Sequence, residues 1–122
     1  MVGEVVEIGI DCEEISNFNE EDLTPEFLRK VFTQAEIDYC NSKKPSSQHF
    51  AGRFAAKEAV IKALSNYGLQ LTPSQIDVTS HETGYPEVKV ECHLPEGIEI
   101  KISITHALDL AIAVAVAAPT RN

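Results

Sequence analysis

Glu58 and Lys62 stand four residues apart inside Gln48 to Asn66, the most helical stretch of the chain. At ~100° per residue the two side chains share one stripe of a helix. On an exposed helix such a pair is a surface ion pair worth ~0.3 kcal/mol. Here the flanking residues are apolar, which places the pair at the edge of a cleft. There a carboxylate with a lysine one turn away can hold a hard cation and an attached phosphate together. His106 falls between two strand-like runs, at a loop position where functional groups are often displayed. Taken alone it reads as an ordinary surface histidine, and His49, His81 and His93 read as surface or structural. Cys12, Cys40 and Cys92 are odd in number and widely spaced, so they form neither a disulfide framework nor a zinc ligand set. They read as reduced, buried thiols in a cytoplasmic protein.

The elements that must position these residues follow from pattern. Val2 to Asp11 reads as a first strand, interrupted by Gly9 where another backbone comes close. Thr24-Pro25-Glu26 opens a short helix, and Thr33-Gln34-Ala35-Glu36 is a capping box that opens a second, ending near Cys40. On the long helix Ala51, Gly52, Ala55, Ala56, Ala59 and Ala63 make a nearly smooth face, while Phe50, Phe54, Val60, Ile61 and Leu64 make a bulky one. Such a helix is buried on both sides, as the central helix of a domain or against another subunit. Gly68 follows as a helix stop. Ile76 to Val78 and Val88 to Val90 are short strands around a turn at His81 to Pro86, and Leu94 to Gly97 is another turn. Ile98, Ile100, Ile102 and Ile104 alternate with polar residues at period two, Thr105 to Asp109 reads as a tight connection, and Leu110 to Ala117 is a last apolar strand. Helices and strands are segregated. The expected class is α+β, a mostly antiparallel sheet covered by one long and two short helices, in a single domain spanning residues 1–122.

Composition removes several functions. Ten Lys and Arg against nineteen Asp and Glu give a net charge of −9. No nucleic acid partner and no anionic membrane surface is expected at that balance. A small phosphate-bearing ligand remains compatible, since a few placed cations suffice. Leu110 to Ala118, the longest apolar run, is far short of the ~20 residues that span a bilayer. The N-terminus lacks the basic and apolar regions of a signal peptide.

The run from Ala51 to Leu64, AGRFAAKEAVIKAL, resembles the signature helix of the 4'-phosphopantetheinyl transferases, in particular the short holo-[acyl-carrier-protein] synthase type. Ile8-Gly9-Ile10-Asp11, the segment from Phe27 to Thr33 with Glu36, the Gly84-Tyr85-Pro86 turn and the Ile102 to His106 segment also resemble that family, in its order and over nearly the whole chain. The resemblance implies a magnesium-dependent enzyme that moves the 4'-phosphopantetheine arm of coenzyme A onto a serine of an acyl carrier protein, releasing adenosine 3',5'-bisphosphate. It implies a homotrimer with an active site at each subunit interface. It places Asp11 and Glu58 as metal ligands and Lys62 on the pyrophosphate, the three forming the catalytic set. A water or a carboxylate near the metal would take the serine proton. It puts Arg53 and His106 on the nucleotide end of coenzyme A, Gly84 and Pro86 against the adenine, and Thr105 and Lys44 on phosphate. On the helix, Arg53 lies ~140° away from Glu58, so it would reach the ligand from a different wall.

Two departures stand out. Thr105 replaces the family's usual serine and keeps a hydroxyl donor. Asn17 and the acidic run Asn19-Glu20-Glu21-Asp22 occupy positions where the family carries basic residues that dock an acidic carrier. Acid facing acid weakens docking, which points to a less acidic carrier domain or an apolar contact. It also leaves a non-catalytic coenzyme-A-binding scaffold as the alternative. A metal-dependent phosphohydrolase ranks last, because no third carboxylate is evident near Asp11 or Glu58.

Overall fold

The computed structural model of the protein describes residues 5–91, 94–95 and 97–120. Strand β1 (Glu7–Glu14) leads through two 3-10 turns into helices α1 (Pro25–Val31), α2 (Gln34–Asn41) and α3 (Ser46–Ser65). Strands β2 (Ile76–Ser80), β3 (Pro86–Val90), β4 (Ile98–Ala107) and β5 (Leu110–Pro119) follow. The strands form two antiparallel sheets: β1-β5-β4, and the hairpin β2-β3. In the larger sheet β5 is central, with Asp11 opposite Ala113 and Ala113 opposite Ile104.

The alanine face of α3 explains the arrangement. Ala55, Ala56, Ala59 and Ala63 are fully buried and meet Ala113, Ala115 and Ala117 of β5, so small faces small and helix and sheet approach closely. At Gly9 the backbones come so near that a side-chain carbon would collide with the carbonyl of Ala59. The bulky face is covered as well: Phe50 packs with Phe32 of the α1–α2 junction, and Val60 and Leu64 with Ile76 and Val78 of β2. Burial on both sides is thus achieved within one chain. Thr24 caps α1 through the Phe27 amide, and the capping box between Thr33 and Glu36 forms at α2.

Several boundaries move: α3 begins at Ser46 rather than Gln48, β2 runs on to Ser80 and β5 to Pro119. The first strand runs from Glu7 to Glu14, because the pairing with β5 continues to Glu14 opposite Leu110; Val2 to Glu4 lie outside the described residues. His106 is not in a loop: it pairs with Ala111 inside β4, and the turn shrinks to Leu108 and Asp109. Pro86 already belongs to β3, opposite Ser80. The readings made for Cys92, His93 and Glu96 lie outside the described residues. Of the other two thiols read as buried, Cys40 is buried and Cys12 is exposed.

The outer face of the larger sheet is apolar and open. Ile8 and Ile10 are 61% and 60% exposed, and across the pairing register lie Val116, Val114 and Ile112. No helix of the described residues is long and apolar enough to cross a membrane.

Candidate functional site: two half-sites on opposite flanks of the long helix

Asp11 sits on β1, an edge strand, with its side chain turned toward α3. Lys62 donates to Asp11 Oδ1 at 3.2 Å and to the carbonyl of Ile10 at 2.9 Å. The expected i,i+4 pair of Lys62 with Glu58 is therefore absent; the ammonium crosses to the strand because a carboxylate and a carbonyl together offer more than one flexible glutamate. Asp11 Oδ2 is buried without a hydrogen-bond partner. Burial and then the Asp11 charge hold the Glu58 carboxyl above its usual range.

Glu13 joins them. It projects to the same face as Asp11, two residues along the strand. Burial, then the adjacent Asp11 carboxylate and the Glu58 charge, push its carboxyl up to about 8. This is the third carboxylate that sequence reading failed to find; an Asp-x-Glu pattern within a strand was its signal. An orphaned, buried carboxylate oxygen amid mutually repelling carboxylates suits a hard, oxygen-seeking cation. Among the described residues no three such groups converge tightly enough to hold a metal alone, so ligand or water oxygens would complete the coordination.

A second set lies beyond the other flank of α3. Arg53 is 94% buried, since its exposure is 6%. Its guanidinium donates to Ser80 Oγ at 2.8 Å and lies 4.0 Å from the Tyr39 ring centre, while its Nε has no partner. His49 stands edge-on to Tyr39 and 6.5 Å from His106, centre to centre. Nε2 of His106 lies 3.1 Å from the Gln48 carbonyl, which can only accept, so that nitrogen carries the hydrogen. Gly52 leaves room for this ring: a side-chain carbon there would stand 3.0 Å from His106 Nε2. Pro86 pairs with Ser80 and so borders the same wall. Tyr85 stacks on His81 at 4.4 Å, and a groove of ≈ 350 Å³ runs between the start of β3 and residues Glu99 to Ile102 of β4. Gly84 adopts φ +102° at the tip of this hairpin. Lys44 is exposed ahead of α3, in a shallow groove with Glu20, Lys43 and Ser46.

The chain therefore brings Asp11, Glu58 and Lys62 together, and separately Arg53, His106 and Pro86. It does not bring the two sets together. Asp11 and His106 occupy opposite edge strands with β5 between them, ~10 Å of sheet, and α3 lies over the gap. Thr105 alternates away from His106 and faces the open apolar side, opposite Ile112.

Between the two sets lies an ion pair that the sequence did not disclose. Lys57, fully buried, meets Glu36 at 2.7 Å and donates to the carbonyls of Pro73 and Ile76. Glu36 also accepts from the amides of Thr33 and Val78. Burial pushes the Glu36 carboxyl up and the Lys57 ammonium down; their mutual attraction and these hydrogen bonds oppose both shifts. With every donor and acceptor paired, the ion pair fastens α2, α3 and β2 to one another.

Comparison with known proteins gives a consistent result. A family model described as the 4'-phosphopantetheinyl transferase superfamily matches residues 7–115. The chain is 39% identical over 119 residues to the holo-[acyl-carrier-protein] synthase of Caldicellulosiruptor bescii, covering 93% of this chain and 98% of that one. It is 41% identical over 118 residues to the synthase of Chlorobaculum parvum, covering 93% and 99%. Among solved structures, the ACPS-CoA complex of Chronobacterium ammoniagenes superposes with a TM-score of 0.78 at 27% identity, covering 97% of this chain and 100% of that one. The Helicobacter pylori synthase in complex with coenzyme A gives 0.72 at 28% identity, covering 91% and 99%.

Proposed function

The chain belongs to the 4'-phosphopantetheinyl transferase superfamily, and from that membership we propose that it is a holo-[acyl-carrier-protein] synthase. It takes coenzyme A as donor and moves the 4'-phosphopantetheine group to a serine of an apo acyl carrier protein. The serine oxygen attacks the pantetheine-side phosphorus of the pyrophosphate, the phosphoanhydride bond breaks, and adenosine 3',5'-bisphosphate leaves.

The observation that carries this reading is the group around Asp11: a buried carboxylate with an unpartnered oxygen, a second carboxylate from Glu58, and the Lys62 ammonium at 3.2 Å. Asp11 and Glu58 would hold magnesium, which when bound neutralises charge developing on the bridging phosphate oxygens. Lys62, whose side chain is 53% exposed, can swing its ammonium onto the pyrophosphate. A water or a carboxylate beside the metal would accept the serine proton. Arg53, His106 and Lys44 bind the phosphate of the nucleotide end, and Gly84 and Pro86 lie against the adenine.

The separation of the two half-sites supports a homotrimer with interfacial active sites. One coenzyme A can meet both sets only if a neighbouring copy presents its Arg53–His106 wall to the Asp11 group of this one. The open stripe of Ile8, Ile10 and Val114 offers a surface for that contact. Unpaired Cys12 and Cys40 favour a cytoplasmic setting.

Intact-mass spectrometry tests the reaction. The protein is incubated with coenzyme A, magnesium and apo carrier proteins ranging from acidic to near neutral. A phosphopantetheine adduct on a carrier serine is the expected result. Tight coenzyme A binding without an adduct on any carrier would favour the non-catalytic scaffold.

A further inference from the structure

The wall around Arg53 collects positive charge in a chain whose net charge is −9. Arg53 comes from α3, His49 from its first turn, His106 from β4 and Lys43 from the loop after α2; Tyr39 of α2 lies among them. Arg53 and Lys43 are the fixed cations of this wall, and among the described residues no carboxylate pairs with either of them or with the two imidazoles. Cations without a counter-ion are costly, and here Arg53 is 94% buried with an unpartnered Nε. Those two observations together describe a site built for an anion.

We propose that His49 is a direct, pH-dependent ligand of the phosphate monoester carried by the nucleotide, acting with His106 and Arg53; this rests on the transferase reading above. The two ring centres stand 6.5 Å apart, near enough for each imidazole to reach a different oxygen of one phosphate through a hydrogen bond of about 2.9 Å. With its Nε2 hydrogen committed to Gln48, His106 presents Nδ1, which donates only when the ring is protonated.

Burial, then the charges of Arg53, His106 and Lys43, hold His49 below its ordinary range in the free protein. A bound dianion replaces that repulsion with attraction and recruits a proton to His49. The groups facing His49 are Tyr39, Lys43, Arg53 and His106, and among the described residues no carboxylate is set against it. Binding is thereby strongest where the imidazole is charged and weakens as pH rises, above the ~6 at which the phosphate itself becomes dianionic. A nucleotide lacking the monoester gains nothing from His49, so the residue also selects for the 3'-phosphorylated donor.

The test is calorimetric titration with coenzyme A, 3'-dephospho-coenzyme A and adenosine 3',5'-bisphosphate between pH 6.5 and 8.5, in buffers of different ionisation enthalpy. In the wild-type protein coenzyme A and the bisphosphate take up protons on binding and lose about tenfold in affinity across that range. In His49→Phe proton uptake falls and the pH slope flattens, while 3'-dephospho-coenzyme A binds both proteins alike. His49→Gln keeps a donor that does not titrate, so it binds with a flattened slope; it carries the test should the phenylalanine fail to fold. Identical slopes and proton uptake in wild type and variants, with carrier transfer intact, overturn the role of His49 alone. A wild-type protein that binds none of the three ligands overturns both this role and the transferase reading.

Discussion

Gly9 of β1 touches the backbone of α3 at Ala59. A side-chain carbon on Gly9 would collide with the Ala59 carbonyl and come within 2.8 Å of the Ala63 nitrogen. This contact sets the gap across which Asp11, two residues on, meets Lys62 at 3.2 Å. Gly9→Ala should push strand and helix apart, at an overpacking cost of ~1–3 kcal/mol in urea denaturation. It should lower transferase activity further than the loss of folded protein explains. A variant as stable and as active as wild type would mean that the helix can shift at no cost.

Removing one partner of the Lys57–Glu36 pair strands a buried charge. Lys57→Met or Glu36→Leu alone should cost ~3–5 kcal/mol, and the two together should recover much of it. Urea denaturation of the three variants reads this directly. Additive losses in the double variant would show that the hydrogen bonds to Val78, Pro73 and Ile76, rather than the charges, carry the contribution.

Asp11→Asn and Glu58→Gln should each abolish magnesium-dependent transfer while the fold persists. Magnesium should raise the melting temperature of the wild-type protein and leave either variant nearly unmoved. Each variant also removes a charge from a crowded group in which Glu13 is already pushed up to about 8. Its metal-free melting temperature should therefore equal or exceed that of wild type. A variant that keeps the wild-type rate would remove that residue from the metal site.

Complementation tests the interfacial site. Glu58→Gln damages one half-site and His106→Ala the other, so each homo-oligomer should be inactive or bind coenzyme A poorly. Mixing the two after dissociation and reassembly should restore up to about a quarter of the wild-type rate, because some interfaces then combine two intact halves. Recovery no greater than the sum of the separate variants would place both halves within one copy.

Cys40 and Cys12 should differ in chemistry. Burial pushes the Cys40 thiol up from 9.0 to about 12. Above pH ~9 the unfolded chain gains by ionising this thiol and the folded chain does not, so stability falls as pH rises toward 12. Cys40→Ala should flatten that alkaline fall. Cys12 lies exposed on the open sheet face, and peptide mapping after alkylation should find it labelled in dissociated chains and protected in the assembly. Equal labelling in both states would count against that face as the contact surface.

Much of the fold was legible because its signals are local. Thr24, Pro25 and the Thr33–Glu36 box start helices through hydrogen bonds spanning three residues, and they form as read. The alternation of Ile98 to Ile104 and the small face of α3 also carried through, since periodicity follows from the backbone alone. His106 was misplaced because a two-residue turn held by Leu108 at positive φ lets the strand run on past it. Glu13 and His49 were passed over for a different reason. Each gains its meaning from a residue 45 or more positions away in sequence: Glu13 from Glu58, and His49 from His106.

The class of fold, the helix that carries Glu58 and Lys62, and the small residues that let this helix lie close to a sheet are all readable from the chain, since propensity, capping and spacing act within a few residues. That Lys62 pairs with Asp11 rather than Glu58, that Lys57 is a buried fastening, and that Arg53 and His106 face away from the carboxylates emerges in the folded molecule alone. Charge pairing and burial depend on distance in space. That distance was fixed when α3 settled against Gly9 and left its two flanks pointing apart.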